Sequence, residues 1–66
     1  MKIKLLKKLN LSVLILIKNE EIHLKRVLKQ LSNLTNDIIV LDSFSTDDSL
    51  KIAKKFNCSI YQKNFI

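Results

Sequence analysis

Two acidic residues stand where short apolar runs stop. Glu20 follows the run 11–17 through Lys18 and Asn19, and Asp42 closes the run 38–41 and is followed by Ser43. Ligands of open parallel sheets bind beyond the carboxyl ends of the strands, so a carboxylate there can accept hydrogen bonds from a ribose or a base. Each acid also has a purely structural use. Asp42 can bond the backbone of its own turn, and Glu20 can serve the first turn of a helix. The pattern alone leaves both readings open.

Other chemistry is thin. His23 has no Ser or Cys to which a nucleophilic role can be assigned. A single cysteine, Cys58, excludes an internal disulfide framework, and with His23 it cannot complete a four-ligand zinc site. Cys58 reads as a small buried hydrophobe at a helix–strand junction. Glycine and proline are both absent. That excludes the P-loop and the dinucleotide fingerprint, since both need glycine for the backbone to approach a phosphate.

The elements that would position the acids follow from periodicity. Residues 11–17 are apolar except for Ser12 and rich in Ile, Leu and Val. A strand covered on both faces reads as such a continuous run. The lysines before it resemble the start of a signal peptide, but Lys18-Asn19-Glu20-Glu21 stands where a small-residue cleavage site would be. Leu24, Val27, Leu28 and Leu31 then fall on one face of a helix, with Asn19 as its N-cap and Glu20 and Glu21 in its first turn. Residues 38–41 form a second buried strand. Ser45 and Asp48 have the spacing of a helix start, with Asp47 and Asp48 in the first turn. Ser49, Ile52, Ala53 and Phe56 make one face of the second helix, and Asn57 suits a left-handed cap. Ile60 and Tyr61 suggest a third strand.

Strand, helix, strand, helix, strand predicts an α/β fold with a parallel sheet. The spatial order would be third, second, first, which is half of a doubly wound nucleotide-binding sheet. Residues 1–10 read as a basic lead-in to a domain spanning 11–66. The charge is lopsided: residues 1–30 carry a net charge of +6 and residues 31–66 none. A basic first half could meet nucleic acid, a phosphate-bearing ligand or an acidic membrane surface, or it could simply be a solvated helix face. Lys25, Arg26 and Lys29 would meet phosphates in a nucleic-acid-binding module. The lack of interleaved aromatics and of known base-reading motifs counts against that alternative.

Two segments resemble family-two glycosyltransferases. L-S-V-L-I-L-I-K-N-E-E, residues 11–21, is similar to the family's opening strand and its T-K-N-E motif. I-I-V-L-D-S-F-S-T-D-D-S, residues 38–49, is similar to its I-V-V-D-S-x-S-T-D-x-T signature, and I-A-K-K-F-N-C-S-I-Y-Q continues the likeness. The subgroup it most resembles adds sugars to the bacterial lipopolysaccharide core. Phe44 departs from the pattern, since many members have glycine there.

The resemblance implies a truncated GT-A domain: the Rossmann-like part that binds a nucleotide sugar, often uridine-linked. Ile17, Lys18, Asn19 and Glu20 would line the nucleoside site, with Glu20 on the ribose, Asp42 accepting from the base and Ser43 nearby. It implies a glycan or lipid-linked acceptor, a cytoplasmic location at the inner face of the membrane, and peripheral membrane association. A divalent metal, Mg or Mn, is expected in the full-length family, held by a D-x-D motif after a fourth strand. That motif and the catalytic base are missing from these residues, and Asp47-Asp48 is not a substitute. The chain alone is therefore expected to be inactive in sugar transfer, and a non-functional remnant is the third reading. Its first strand, central in the family's sheet, would be left with one edge unpaired.

Overall fold

A computed structural model describes residues 1–5 and 12–65. Strands β1 (Lys2–Leu5), β2 (Ser12–Ile17), β3 (Asp37–Asp42) and β4 (Ser59–Gln62) form one sheet in the order β1-β2-β3-β4. Helix α1 (Glu21–Leu31) joins β2 to β3, and α2 (Ser49–Lys55) joins β3 to β4. β2, β3 and β4 pair in parallel, with Ile17 opposite Asp42 and Asp42 opposite Gln62. The expected strand–helix alternation and strand order are both present. Leu11, expected to open the first strand, lies outside the described residues.

The sheet is mixed rather than all parallel. β1 runs antiparallel to β2, pairing Lys2 with Leu16 and Lys4 with Leu14. It occupies the edge of β2 that sequence reasoning left bare. Four residues, Lys-Ile-Lys-Leu, do alternate, but all four are exposed, so burial gives no signal there. An edge strand with lysines on one face is a common way to end a sheet without inviting further pairing.

Both helices cover one face. Val13, Ile15, Ile17, Ile38 and Val40 pack with Leu24, Leu28 and Ala53 to form the core, and Val27, Leu31, Ile52 and Phe56 lie against it. These include every position assigned to the two helical faces except Ser49, which is also buried. Successive strand residues point to opposite faces. Leu14, Leu16, Ile39 and Leu41 therefore lie on the other face, where each is only half-buried. The near-continuous apolar runs are explained by this second apolar face.

The helix starts are displaced from expectation. α1 begins at Glu21 with Glu20 at the N-cap position, and Asn19 sits one residue earlier with φ of 52°. α2 begins at Ser49 with Asp48 at the N-cap position. Asn57 has φ of 60° and ends α2 in the left-handed conformation, as its type suggests. No helix of the described residues is long and apolar enough to cross a membrane.

Candidate functional site

The two acids share one edge of the sheet. Ile17 and Asp42 are the last residues of neighbouring parallel strands, and the Ser43 N–H donates to the Ile17 carbonyl at 3.0 Å. The loops after β2 and β3 therefore leave the sheet side by side. All six residues assigned to the nucleoside site, Ile17, Lys18, Asn19, Glu20, Asp42 and Ser43, belong to these two loops or the strand ends beneath them.

The loops interlock. The Lys18 ammonium donates to the carbonyls of Ser43 and Phe44, at 2.9 and 3.1 Å. The Asn19 N–H donates to Ser45 Oγ at 2.8 Å, the Glu20 N–H to Ser49 Oγ at 2.7 Å, and the Glu21 N–H to Asp47 Oδ2 at 3.2 Å. In return, Asn19 Oδ1 accepts from the N–H groups of Thr46 (2.7 Å) and Asp47 (3.3 Å), and Glu21 Oε1 accepts from the Asp48 N–H at 3.2 Å. The first N–H groups of a helix have no partner within it. At the start of α1 the Glu20 and Glu21 N–H groups are bonded by side chains of the other loop; ahead of α2 the Asp48 N–H is bonded by Glu21 across the gap, while the Ser49 N–H is bonded by Asp47 of its own loop. Ser49 and Asp47 thus occupy the Glu20 and Glu21 N–H groups at the start of α1.

Asp42 is the most enclosed acid. It has no exposed surface. Its Oδ2 accepts from the Ser45 N–H at 3.0 Å and from Gln62 Nε2 at 3.2 Å, and its Oδ1 accepts from the Ser45 hydroxyl. The turn role is therefore present. A carboxylate offers about four acceptor positions, so roughly one stays unused. Gln62, which sequence reasoning missed, reaches Asp42 because β4 is in register with β3. The chain beyond β4 stays at the same edge: the Lys63 N–H donates to the Asp42 carbonyl at 3.0 Å, and the Phe65 N–H to Ser43 Oγ at 3.4 Å.

Glu20 is more open. Its Oε2 accepts from the Met1 α-ammonium at 2.9 Å. β1 brings Met1 there, and no feature of the lead-in foretold it. A cleft of about 510 Å³ lies beside this pair, lined by Met1, Lys2, Leu16, Ile17, Lys18, Glu20 and Phe65.

Asp47 and Asp48 do not make a metal site. Among the described residues no group of three or more His, Cys, Asp or Glu side chains could hold an ion. Asp47 is taken up by helix ends, since its Oδ1 also accepts from the Ser49 N–H at 2.9 Å. Partial desolvation would raise its pKa, but the hydrogen bonds from Ser49 and Glu21 outweigh it and hold the carboxyl below its ordinary value. Cys58 is half-buried, and burial pushes its thiol up, away from the reactive thiolate. His23 is exposed on α1.

The profile described as Glycosyl transferase family 2 matches residues 12–65. The chain belongs to that family. Uncharacterized glycosyltransferases of Rickettsia typhi and Rickettsia conorii are each 36% identical to it over 56 residues, covering 85% of this chain. A third, from Rickettsia prowazekii, is 34% identical over the same length. The chain spans about a fifth of these curated relatives, 19% of the first and 20% of the second. No solved structure matches it at a significant level. The glycosyltransferase match begins at Ser12, so β1, Met1 and Lys2 lie outside the family segment. The matched segment carries both acid-bearing loops.

Proposed function

We propose that this chain is the donor-nucleotide-binding part of a glycosyltransferase that moves a sugar from a nucleotide sugar to a cell-surface glycan or the lipopolysaccharide core. One observation carries the reading: Glu20 and Asp42 leave adjacent parallel strands at the same edge, on loops that hydrogen-bond to each other. In this reading Glu20 meets the ribose, and the buried Asp42 accepts from an N–H of the base once the Gln62 amide moves off its carboxylate, which suits uracil. Ile17 and Ser43 flank them. Lys18 and Asn19 fix the loops.

The reading includes what the chain does not do alone. A divalent ion assists departure of the diphosphate in the intact family. Asp47 and Asp48 do not fit that ion, because the Asp47 carboxylate already accepts from two backbone N–H groups. No transfer step is assigned to these residues, and the proposed setting is the cytoplasmic face of the membrane.

The test is a titration of the 66-residue chain with uridine, followed by amide NMR, beside a transfer assay with uridine-diphosphate sugars, manganese and a lipopolysaccharide-core acceptor. Shifts confined to residues 17–20 and 42–45, with no transfer, support the reading. Unmoved amides in both loops would overturn the nucleoside assignment, and turnover would overturn the assignment as a donor-binding part alone.

A further inference from the structure

The cleft beside Glu20 has an unbalanced charge. It holds one carboxylate, Glu20, and that carboxylate is already paired with the Met1 ammonium. Lys2 and Lys18 remain. The Lys18 ammonium is held by two carbonyls, which orient it without neutralising it. Among the described residues no carboxylate pairs with Lys2. Two lysines thus line a space of about 510 Å³.

We propose that this cleft binds the diphosphate of the donor, and that Lys2 of β1 is a binding residue for it. The inference rests on the preceding reading for the nucleoside, but not for the anion. The register puts Lys2 opposite Leu16, one residue before the strand end that leads into Lys18 and Glu20. A phosphate-bearing group extending from a ribose at Glu20 would enter the cleft at once. Ammonium groups suit it as point charges, and charge-assisted hydrogen bonds to phosphate are the stronger kind. At the start of α1 the Glu20 and Glu21 N–H groups are already bonded to Ser49 and Asp47. Lys2 lies on a strand that the family segment does not include.

The tripolar arrangement of Met1, Glu20 and Lys2 adds selectivity. The Met1–Glu20 pair removes the one negative charge that would repel phosphate. A nucleoside without phosphate gains nothing from Lys2. The chain should therefore prefer uridine diphosphate to uridine.

The experiment uses inorganic pyrophosphate, uridine and uridine diphosphate as separate probes of the 66-residue chain, read by calorimetry and amide NMR. Pyrophosphate should bind, compete with uridine diphosphate, and shift the amides of Leu16 and Ile17. Lys2→Gln should weaken pyrophosphate about tenfold and leave uridine unchanged. Lys2→Arg should keep most of the affinity, and Lys4→Gln, next on the same face but outside the cleft, should change little. Uridine binding without pyrophosphate binding overturns this inference and spares the nucleoside reading. Pyrophosphate binding lost in Lys2→Gln, with uridine never bound, keeps the anion site and overturns the nucleoside reading. Pyrophosphate binding that is indifferent to Lys2→Gln, or equally sensitive to Lys4→Gln, also overturns the inference.

Discussion

The carboxamide oxygen of Asn19 accepts hydrogen bonds from the N–H groups of Thr46 and Asp47, 2.7 and 3.3 Å away on the opposite loop. Asn19 can reach them because its backbone is left-handed, with φ of 52°. Asparagine tolerates that conformation better than most residues. One side chain thereby ties the exit of β2 to the approach to α2.

Asn19→Ala should therefore act on stability. It removes two hydrogen bonds to loop N–H groups, at about 0.5–1.5 kcal/mol each, and places a Cβ residue without a compensating side chain in the left-handed region, at roughly 1–2 kcal/mol. Urea unfolding should show a loss within the sum of those ranges. An unchanged midpoint would mean that the loops are held by the remaining bonds alone.

Phe44 should respond in the opposite direction. It stands at φ of 52° with its ring about half exposed, at 53%. The ring contributes little burial, while the backbone carries left-handed strain. Phe44→Gly should stabilise the chain by about 1 kcal/mol, seen as a rise in Tm. A fall would show that the ring packs in a way its exposure conceals.

Acid should loosen the lock through Asp47. Its folded pKa lies below the ordinary 3.8. The folded state then holds fewer protons than the unfolded chain, so this stabilisation is complete above that value and is lost as pH falls through the lower, folded one. Thermal melts between pH 2 and 6, the span about the ordinary carboxylate range, should show a decline at the acid end that is smaller in Asp47→Asn. Parallel curves for the two proteins would rule out Asp47 as a contributor.

Gln62 provides a test of the nucleoside reading. Its amide occupies one oxygen of Asp42 at 3.2 Å. Gln62→Ala should free that acceptor and tighten uridine about fivefold, the equivalent of one net hydrogen bond. Adding Asp42→Asn should erase the gain. Weaker uridine binding in Gln62→Ala would place Gln62, rather than Asp42, against the base.

Most of the parallel unit was legible in the residues. Leu24, Val27, Leu28 and Leu31 announced α1 by spacing, and the two apolar runs announced β2 and β3, because burial leaves a periodic trace. The placement of Glu20 and Asp42 at one edge follows from that alternation. β1 left no such trace, since all four of its residues are exposed. Gln62 was hidden for a different reason: its partner is set by the register of β4 on β3, which no local pattern encodes. Asn19 was read as an N-cap because its type suits one. Its carboxamide instead bonds the N–H groups of Thr46 and Asp47 in the distant loop ahead of α2, and a choice between near and far partners is invisible until the loops are brought together.

The hydrogen bonds between the two loops join residues 25 to 29 positions apart. None of them can form during growth of a single helix. They wait on closure of the whole β2–α1–β3 excursion, which makes the lock a late and collective event in folding. Weakening it should quicken unfolding far more than it slows folding. The two-loop edge would then persist by slow release rather than by rapid assembly.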